Sequence, residues 1–267
     1  MSDHKKSRGL SPGDDDYNSH LLQEIEQLEE ESFWYKGRKE LIVWAIQYYF
    51  RDAKLLVEIG SGTGFVLGEI RKTLPTLKVI AGDVSLAGLS YVRKRAPGVV
   101  LCQFDIRHIP CKNTLPLLCA FDVLEHIRED DVAFAQMFEA MQSDGGIILT
   151  VPQHPFLWSA MDEISQHKRR YIRKELVGKL ENAGFSIIRV TSFGTLVFPL
   201  KLAEVFIRFV KKTLGIKDDH IHIVRPPTLV NNMIYVLMSI ERFLIRHHIS
   251  FPFGSSLLVL AKKDGDI

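Results

Sequence analysis

The chain has 267 residues, 46% of them hydrophobic, with 34 basic against 32 acidic side chains for a formal net charge of +2. That length and apolar content suffice for one sizeable core. So near-neutral a balance, with no basic tract interleaved with aromatics, argues against a nucleic-acid partner. The three cysteines, Cys102, Cys111 and Cys119, lack metal-type spacing and read as reduced thiols of a cytoplasmic protein.

Residues 1–20 are polar and charged, without an apolar centre for a signal peptide, and are expected to form a disordered arm. Residues 21–50 read as an N-terminal helical cover: Leu and Ile spaced among Glu residues, then Phe33, Trp34 and Tyr35, then a helix from Arg38 to Phe50. Either Trp34, Leu41, Trp44 and Ile46 pack this cover on a sheet, or it is a lid that brings Tyr35 and Arg38 onto a bound ligand. The core is expected over residues 51–192. It opens with VEIGSGTG, Val57 to Gly64, where an apolar strand breaks into Gly60, Gly62 and Gly64 and Phe65, Val66, Leu67 and Ile70 resume at helical spacing. Such a loop permits positive φ and close backbone approach, and the helix start offers free N–H groups to an anionic part of a nucleotide-like ligand. A dinucleotide fingerprint would place Gly or Ala at position 65, where Phe65 stands.

Three further strands end in acids. Leu77 to Ala81 is followed by Asp83 and Val84, Val99 to Phe104 by Asp105 and Ile106, and Leu117 to Phe121 by Asp122, Leu124, Glu125 and His126. In series with the glycine loop, these residues resemble the class I S-adenosylmethionine-dependent methyltransferases, with FDVLEHI matching the post-strand-four signature of their small-molecule branch. The resemblance implies an α/β, Rossmann-like seven-stranded sheet with helices on both faces. It implies S-adenosyl-L-methionine as cofactor and S-adenosyl-L-homocysteine as product. Glu58 and the three glycines would cradle the methionine moiety, Asp83 beside Val84 would take the ribose, and Asp105 would accept from the adenine amine while Ile106 covers the ring. Asp122 and Leu124 would complete the cofactor site. A phrase like FWYKGRKELI recurs in related methyltransferases, which favours the lid and would let Arg38 pair with the methionine carboxylate.

The helix expected from Asp130 to Met141 carries Phe134, Met137, Phe138 and Met141 as a core stripe, and Ile147 to Val151 form a fifth strand ending at Pro152. Chain beyond a strand tip borders the substrate in open α/β sheets. There the sequence resembles a bacterial-type methyltransferase subgroup with a W, DE and H-x-RRY stretch, some of whose members accompany glycan or lipid-glycan pathways. His126, Trp158, Arg169, Arg170 and Tyr171 are expected to contact the acceptor, the arginine pair suiting phosphate or carboxylate, unless the charge run is a solvated or salt-bridged loop. His167 or His154 could act as general base, unless both are structural; Asp162 and Glu163 rank lower. Asp122, Glu125 and His126 resemble the E-x-x-E-H arrangement with which some methyltransferases hold a divalent ion, but no metal is expected.

A sixth strand, Phe185 to Val190, is separated from a seventh, Ser256 to Ala261, by an apolar helical insertion over residues 193–254, with the final strand and tail at 255–267. Leu196 to Lys212 and Leu229 to Ile245 read as its helices. Neither is free of charge over the ~20 residues a spanning helix needs. They would serve as a lid, a homodimer surface or a peripheral membrane element. The expected function is S-adenosylmethionine-dependent methyl transfer to a small or lipid-linked acceptor, anionic or hydrophobic, by a soluble cytoplasmic enzyme, with peripheral membrane contact through residues 196–212 and 229–245 as one reading of the insertion. Alternatives are a soluble natural-product or quinone-like acceptor, and a non-catalytic cofactor-binding scaffold.

Overall fold

The computed structural model describes residues 12–214 and 226–265. Two helices come first, α1 (Pro12–Glu31) and α2 (Phe33–Tyr49), parted by Ser32, whose hydroxyl caps α2 by accepting the Trp34 N–H at 3.2 Å. Residues 12–20, expected within a disordered arm, are helical here: Pro12 opens the first turn, where its missing N–H has no intrahelical partner to lose. The rest of that arm lies outside the described residues.

Strands and helices then alternate: β1 (Leu55–Ile59), α3 (Phe65–Thr73), β2 (Lys78–Asp83), α4 (Leu86–Arg95), β3 (Val100–Gln103), β4 (Leu115–Phe121), a 3-10 turn at Leu124–His126, α5 (Asp130–Ala140) and β5 (Met141–Pro152). After α6 (Ala160–Ile164) and α7 (Arg173–Asn182) come β6 (Phe185–Phe193), α8 (Phe198–Thr213), α9 (Thr228–Arg246) and β7 (Ser256–Lys263). The sheet order is β3-β2-β1-β4-β5-β7-β6, with the first five strands parallel and β7 antiparallel to both β5 and β6. Strand order reverses between β1 and β4, so their carboxyl ends open a crevice.

Because successive strand residues point to opposite faces, β4 divides between two cores. Leu117, Cys119 and Phe121 join residues of α2, α3 and α4 on one side, and Leu118 and Ala120 join α5 and α7 on the other. Of the stripe on α5, Phe134, Met137 and the adjoining Met141 are buried, and Phe138 packs edge-on against Phe185. Among its described residues the insertion holds two helices, α8 and α9; α9 lies against α2.

Candidate active site at the strand tips

At the tip of β1, Glu58 is buried and its Oε2 has no hydrogen-bond partner. Burial pushes this carboxyl up to about 8, opposed by Arg38 and reinforced by Asp83 and Glu29. The loop that follows turns on three left-handed glycines, Gly60, Gly62 and Gly64 at φ +71, +52 and +75°. They differ in what they face. A Cβ on Gly60 would collide with the Val123 side chain and one on Gly64 would stand 3.0 Å from the Val92 backbone, whereas one on Gly62 meets nothing within 4 Å. Two glycines therefore permit packing, and the middle one borders open space.

Asp83, at the end of β2, accepts the Gly62 N–H and the Ser85 N–H, both at 2.8 Å. The bond from Gly62 fixes the glycine loop to the second strand tip. Burial raises the Asp83 carboxyl despite these backbone donors, and neighbouring Val84 is exposed. At the third tip the Asp105 carboxylate is clasped by Arg107 at 2.6–3.1 Å, which holds it below the usual range. This charged fork orients the Asp105 carboxylate, which as an ionised group keeps lone pairs for a further donor. The side chains of Ile106 and Leu124 are buried in the core cluster formed with β1, β4 and α5.

The cover closes on this face from α1 and α2. Glu29 accepts the Thr63 hydroxyl at 2.5 Å and Arg95 Nη1 at 2.6 Å, joining α1 to the glycine loop and α4. Half-buried Tyr35 lies under the Arg38 guanidinium, 5.4 Å from its ring centre, and Arg38 pairs with Asp122. Asp122 holds φ +56°, and its other oxygen accepts the Thr150 hydroxyl at 2.9 Å. Arg38 and Asp122, expected to meet the cofactor separately, are thus brought together, with the Arg38 Nε unpartnered.

Beyond β5 the basic run is engaged internally, as in the salt-bridged alternative to acceptor contact. Arg169 pairs with Asp130 at 2.8 Å and donates to the Arg128 carbonyl at 2.7 Å; Arg170 grips both oxygens of Asp162 at 2.8 and 2.9 Å. Tyr171 is wholly buried, its hydroxyl donating to Asp130 at 2.7 Å. Cations this enclosed need fixed acceptors, and the fold supplies them.

His167 donates from Nδ1 to Asp162 at 2.8 Å, while its Nε2 faces Glu125 Oε1 across 3.9 Å. Burial would raise Asp162, yet the bonds from His167 and Arg170 outweigh it and keep the carboxyl well below its ordinary range. Glu125 is fully buried, neither oxygen has a partner, and burial lifts it to about 8. The His126 ring stands edge-on to His167, centroids 4.7 Å apart. Its enclosure, then His167 and Lys168, hold it neutral, although part of the residue remains open to solvent. His154, at φ +65°, stacks on Phe156 at 4.9 Å with Nε2 unpartnered; burial and then Arg170 lower its basicity. Trp158 is half-buried.

Glu29, Arg95, Glu125 and Arg107 were not singled out as cofactor or substrate residues from the sequence. Glu29 sits in a run of glutamates where no local signal marks the buried one. Arg107 could have been suspected from its position two residues after Asp105.

Residues 56–145 match the model of a methyltransferase domain family. No curated protein sequence matches the chain. Among solved structures, the chain is similar to a Haloferax volcanii protein in complex with the Trm112 methyltransferase activator, at TM-score 0.61 and 13% identity over 95% of this chain and 98% of that one. A SAM-dependent methyltransferase from Thermotoga maritima follows at TM-score 0.60 and 13% identity, over 94% and 99% of the two chains. Phosphoethanolamine N-methyltransferase 2 of Haemonchus contortus, in complex with S-adenosyl-L-methionine, gives TM-score 0.52 and 17% identity over 79% of this chain and 49% of that one. At these identities the likenesses concern the fold.

Proposed function

This chain carries a class I S-adenosylmethionine-dependent methyltransferase domain, and we propose that it methylates a hydrophobic or lipid-linked acceptor met at a membrane surface, as a peripheral protein of the cytoplasmic side. What supports these strand tips as the donor site is an orphaned buried oxygen on Glu58, open space over Gly62 and the buried Asp83 carboxylate, a set suited to methionine and ribose groups. When bound, S-adenosyl-L-methionine supplies a methyl group activated by a sulfonium for in-line displacement. The chain's task is then positioning and exclusion of water, which α1 and α2 serve through the Glu29–Thr63 and Arg38–Asp122 contacts. His154, neutral and with a free Nε2, is the group best suited to take a proton from an acceptor.

The observation that carries the membrane reading is the reversed polarity of α9. Asn231, Glu241 and Arg242 point inward: Asn231 accepts the Phe33 N–H at 3.0 Å, Glu241 accepts the Thr195 N–H at 2.9 Å, and Arg242 pairs with Glu40 at 3.1 Å. Leu229, Met233, Val236, Ile240 and Phe243 face outward at 52–73% exposure. Each such side chain leaves ~1.5–3 kcal/mol of burial unrealised in water, too much across five residues to be incidental. By length and composition α9 is also apolar enough to cross a membrane; its Glu241 and Arg242 are buried against the protein. On α8, Phe206 and Phe209 are exposed as well, and Phe198 joins the α8 start to His154 at 5.8 Å. An apolar acceptor could pass along this aromatic link to the strand tips. With Arg169 and Arg170 engaged internally, an anionic group on the acceptor has lost its main support.

Co-sedimentation with vesicles of phosphatidylcholine and phosphatidylglycerol tests the reading. The wild type is expected to pellet with vesicles and Met233→Asp/Ile240→Asp to stay in solution. A wild type that remains in the supernatant, or forms a dimer whose contact those substitutions abolish, overturns membrane docking. Transfer of labelled methyl groups to lipid extracts separates an enzyme from a scaffold.

A further inference from the structure

We propose that Glu125, His126 and His167 bind one divalent transition-metal ion at the tip of β4, leaving coordination positions open to an oxygen of the acceptor. One ligating atom from each of the three residues lies within 4.8 Å of the other two. The role toward the acceptor rests on reading these strand tips as the methyl-transfer site; the binding of the ion does not.

Glu125 supplies the independent evidence. It has no exposed surface, and neither carboxylate oxygen has a hydrogen-bond partner, a state that an isolated buried carboxyl does not hold without cost. Its Oε1 stands 3.9 Å from His167 Nε2. That gap is too long for a direct hydrogen bond, yet near the ~3–4 Å that separates two ligands each ~2.1 Å from one ion.

His167 is already oriented for the task. Ionised Asp162 can only accept, so Nδ1 of His167 carries the proton in their 2.8 Å contact and Nε2 presents its lone pair toward Glu125. Asp162 is itself fixed by both arms of Arg170 and by the Ser159 N–H at 2.7 Å. A carboxylate behind a histidine is the common second support of metal-bound imidazole. The loop is also tied to the 3-10 turn by Lys168 N–H donating to the Glu125 carbonyl at 2.7 Å, so the two ligand-bearing segments are joined before any ion arrives. The His126 and His167 rings, crossed at 85°, can turn a nitrogen each to one point, and half-open His126 gives an entry path.

Two imidazoles and one carboxylate favour zinc, cobalt, manganese or iron over calcium or magnesium, which prefer all-oxygen shells. The ligand set differs from the one the D-x-x-E-H spacing suggests. Asp122, first in that spacing, is occupied by Arg38 and Thr150, and His167 stands in as the third member.

Metal-stripped full-length protein titrated with Zn²⁺ by calorimetry, and with Co²⁺ by visible absorption, tests the proposal. One ion per chain is expected for the wild type, with a rise in melting temperature. Glu125→Gln and His126→Ala should lose the Co²⁺ bands and weaken Zn²⁺ binding at least tenfold, and Asp162→Asn should weaken it 10–100-fold. His126 is partly exposed, so its variant should stay folded; circular dichroism and S-adenosyl-L-homocysteine binding in the same samples establish that. No stoichiometric ion in the wild type, or wild-type affinity in a folded His126→Ala protein, would overturn the site while leaving the methyltransferase reading intact.

Discussion

Thr63, inside the glycine loop, donates its hydroxyl to Glu29 of α1 at 2.5 Å, and Arg95 donates to both residues at 2.6–2.9 Å. The cover is therefore bonded to the very loop expected to hold the cofactor. Glu29→Ala should lower the unfolding free energy by ~1–3 kcal/mol, the lesser end of buried-pair losses because Arg95 keeps Glu30 as a partner. It should also weaken S-adenosyl-L-homocysteine binding. Urea denaturation and calorimetry check both, and unchanged values would show that this tether contributes to neither.

The glycines of the loop should fail in different ways. Gly60→Ala meets Val123 and should be poorly folded. Gly62→Ala meets no protein atom; it should cost only the ~1–2 kcal/mol of a left-handed non-glycine residue, while its methyl group intrudes on cofactor space. A folded Gly62→Ala protein that binds the cofactor like the wild type would contradict the placement.

Glu58 gives stability a definite pH slope. Its folded value, about 8, lies above the ordinary 4.5, so the fold favours the protonated form; this contribution is complete below pH 4.5 and is lost as pH rises through 8. Glu58→Gln cannot ionise. Without cofactor it should be more stable than the wild type at pH 8, by on the order of 2–5 kcal/mol, with the difference closing toward pH 4.5. Thermal melts across that range test the sign, and a gap that does not change with pH would refute it.

Arg170 is expected to matter for folding more than for the acceptor. Arg170→Ala takes the paired cation from buried Asp162, leaving it the His167 and Ser159 hydrogen bonds, and should cost ~1.5–3 kcal/mol of stability. An Arg170→Ala protein with wild-type denaturation but impaired transfer would restore the acceptor role that the geometry removes.

Strand ends and the glycine loop were legible because apolar runs terminating in Asp or Gly are local signals, and β1, β2 and β4 fall on the runs that end before Gly60, Asp83 and Asp122. Long-range pairing was not legible. Nothing in the sequence beside Arg169, Arg170 and Tyr171 announces that Asp130 and Asp162 will enclose them, so an internal network reads as a binding patch. The same holds for α9. Its length and apolar content were apparent, but the side that faces the protein was set by polar partners on α2 and after β6, such as Glu40 and the Thr195 N–H.

Phe193, the last residue of β6, pairs directly with Ser256, the first of β7. The chain from 194 to 255 thus leaves and rejoins the sheet at one rung, touching it in between at the Ser192–Phe251 bridge. Lengthening such a closed excursion costs only about 0.6 kcal/mol per doubling, so this segment can diverge or be exchanged between relatives without displacing the parallel strands. A transplant of this segment would have to bring with it the α2 surface that receives Asn231 and Arg242.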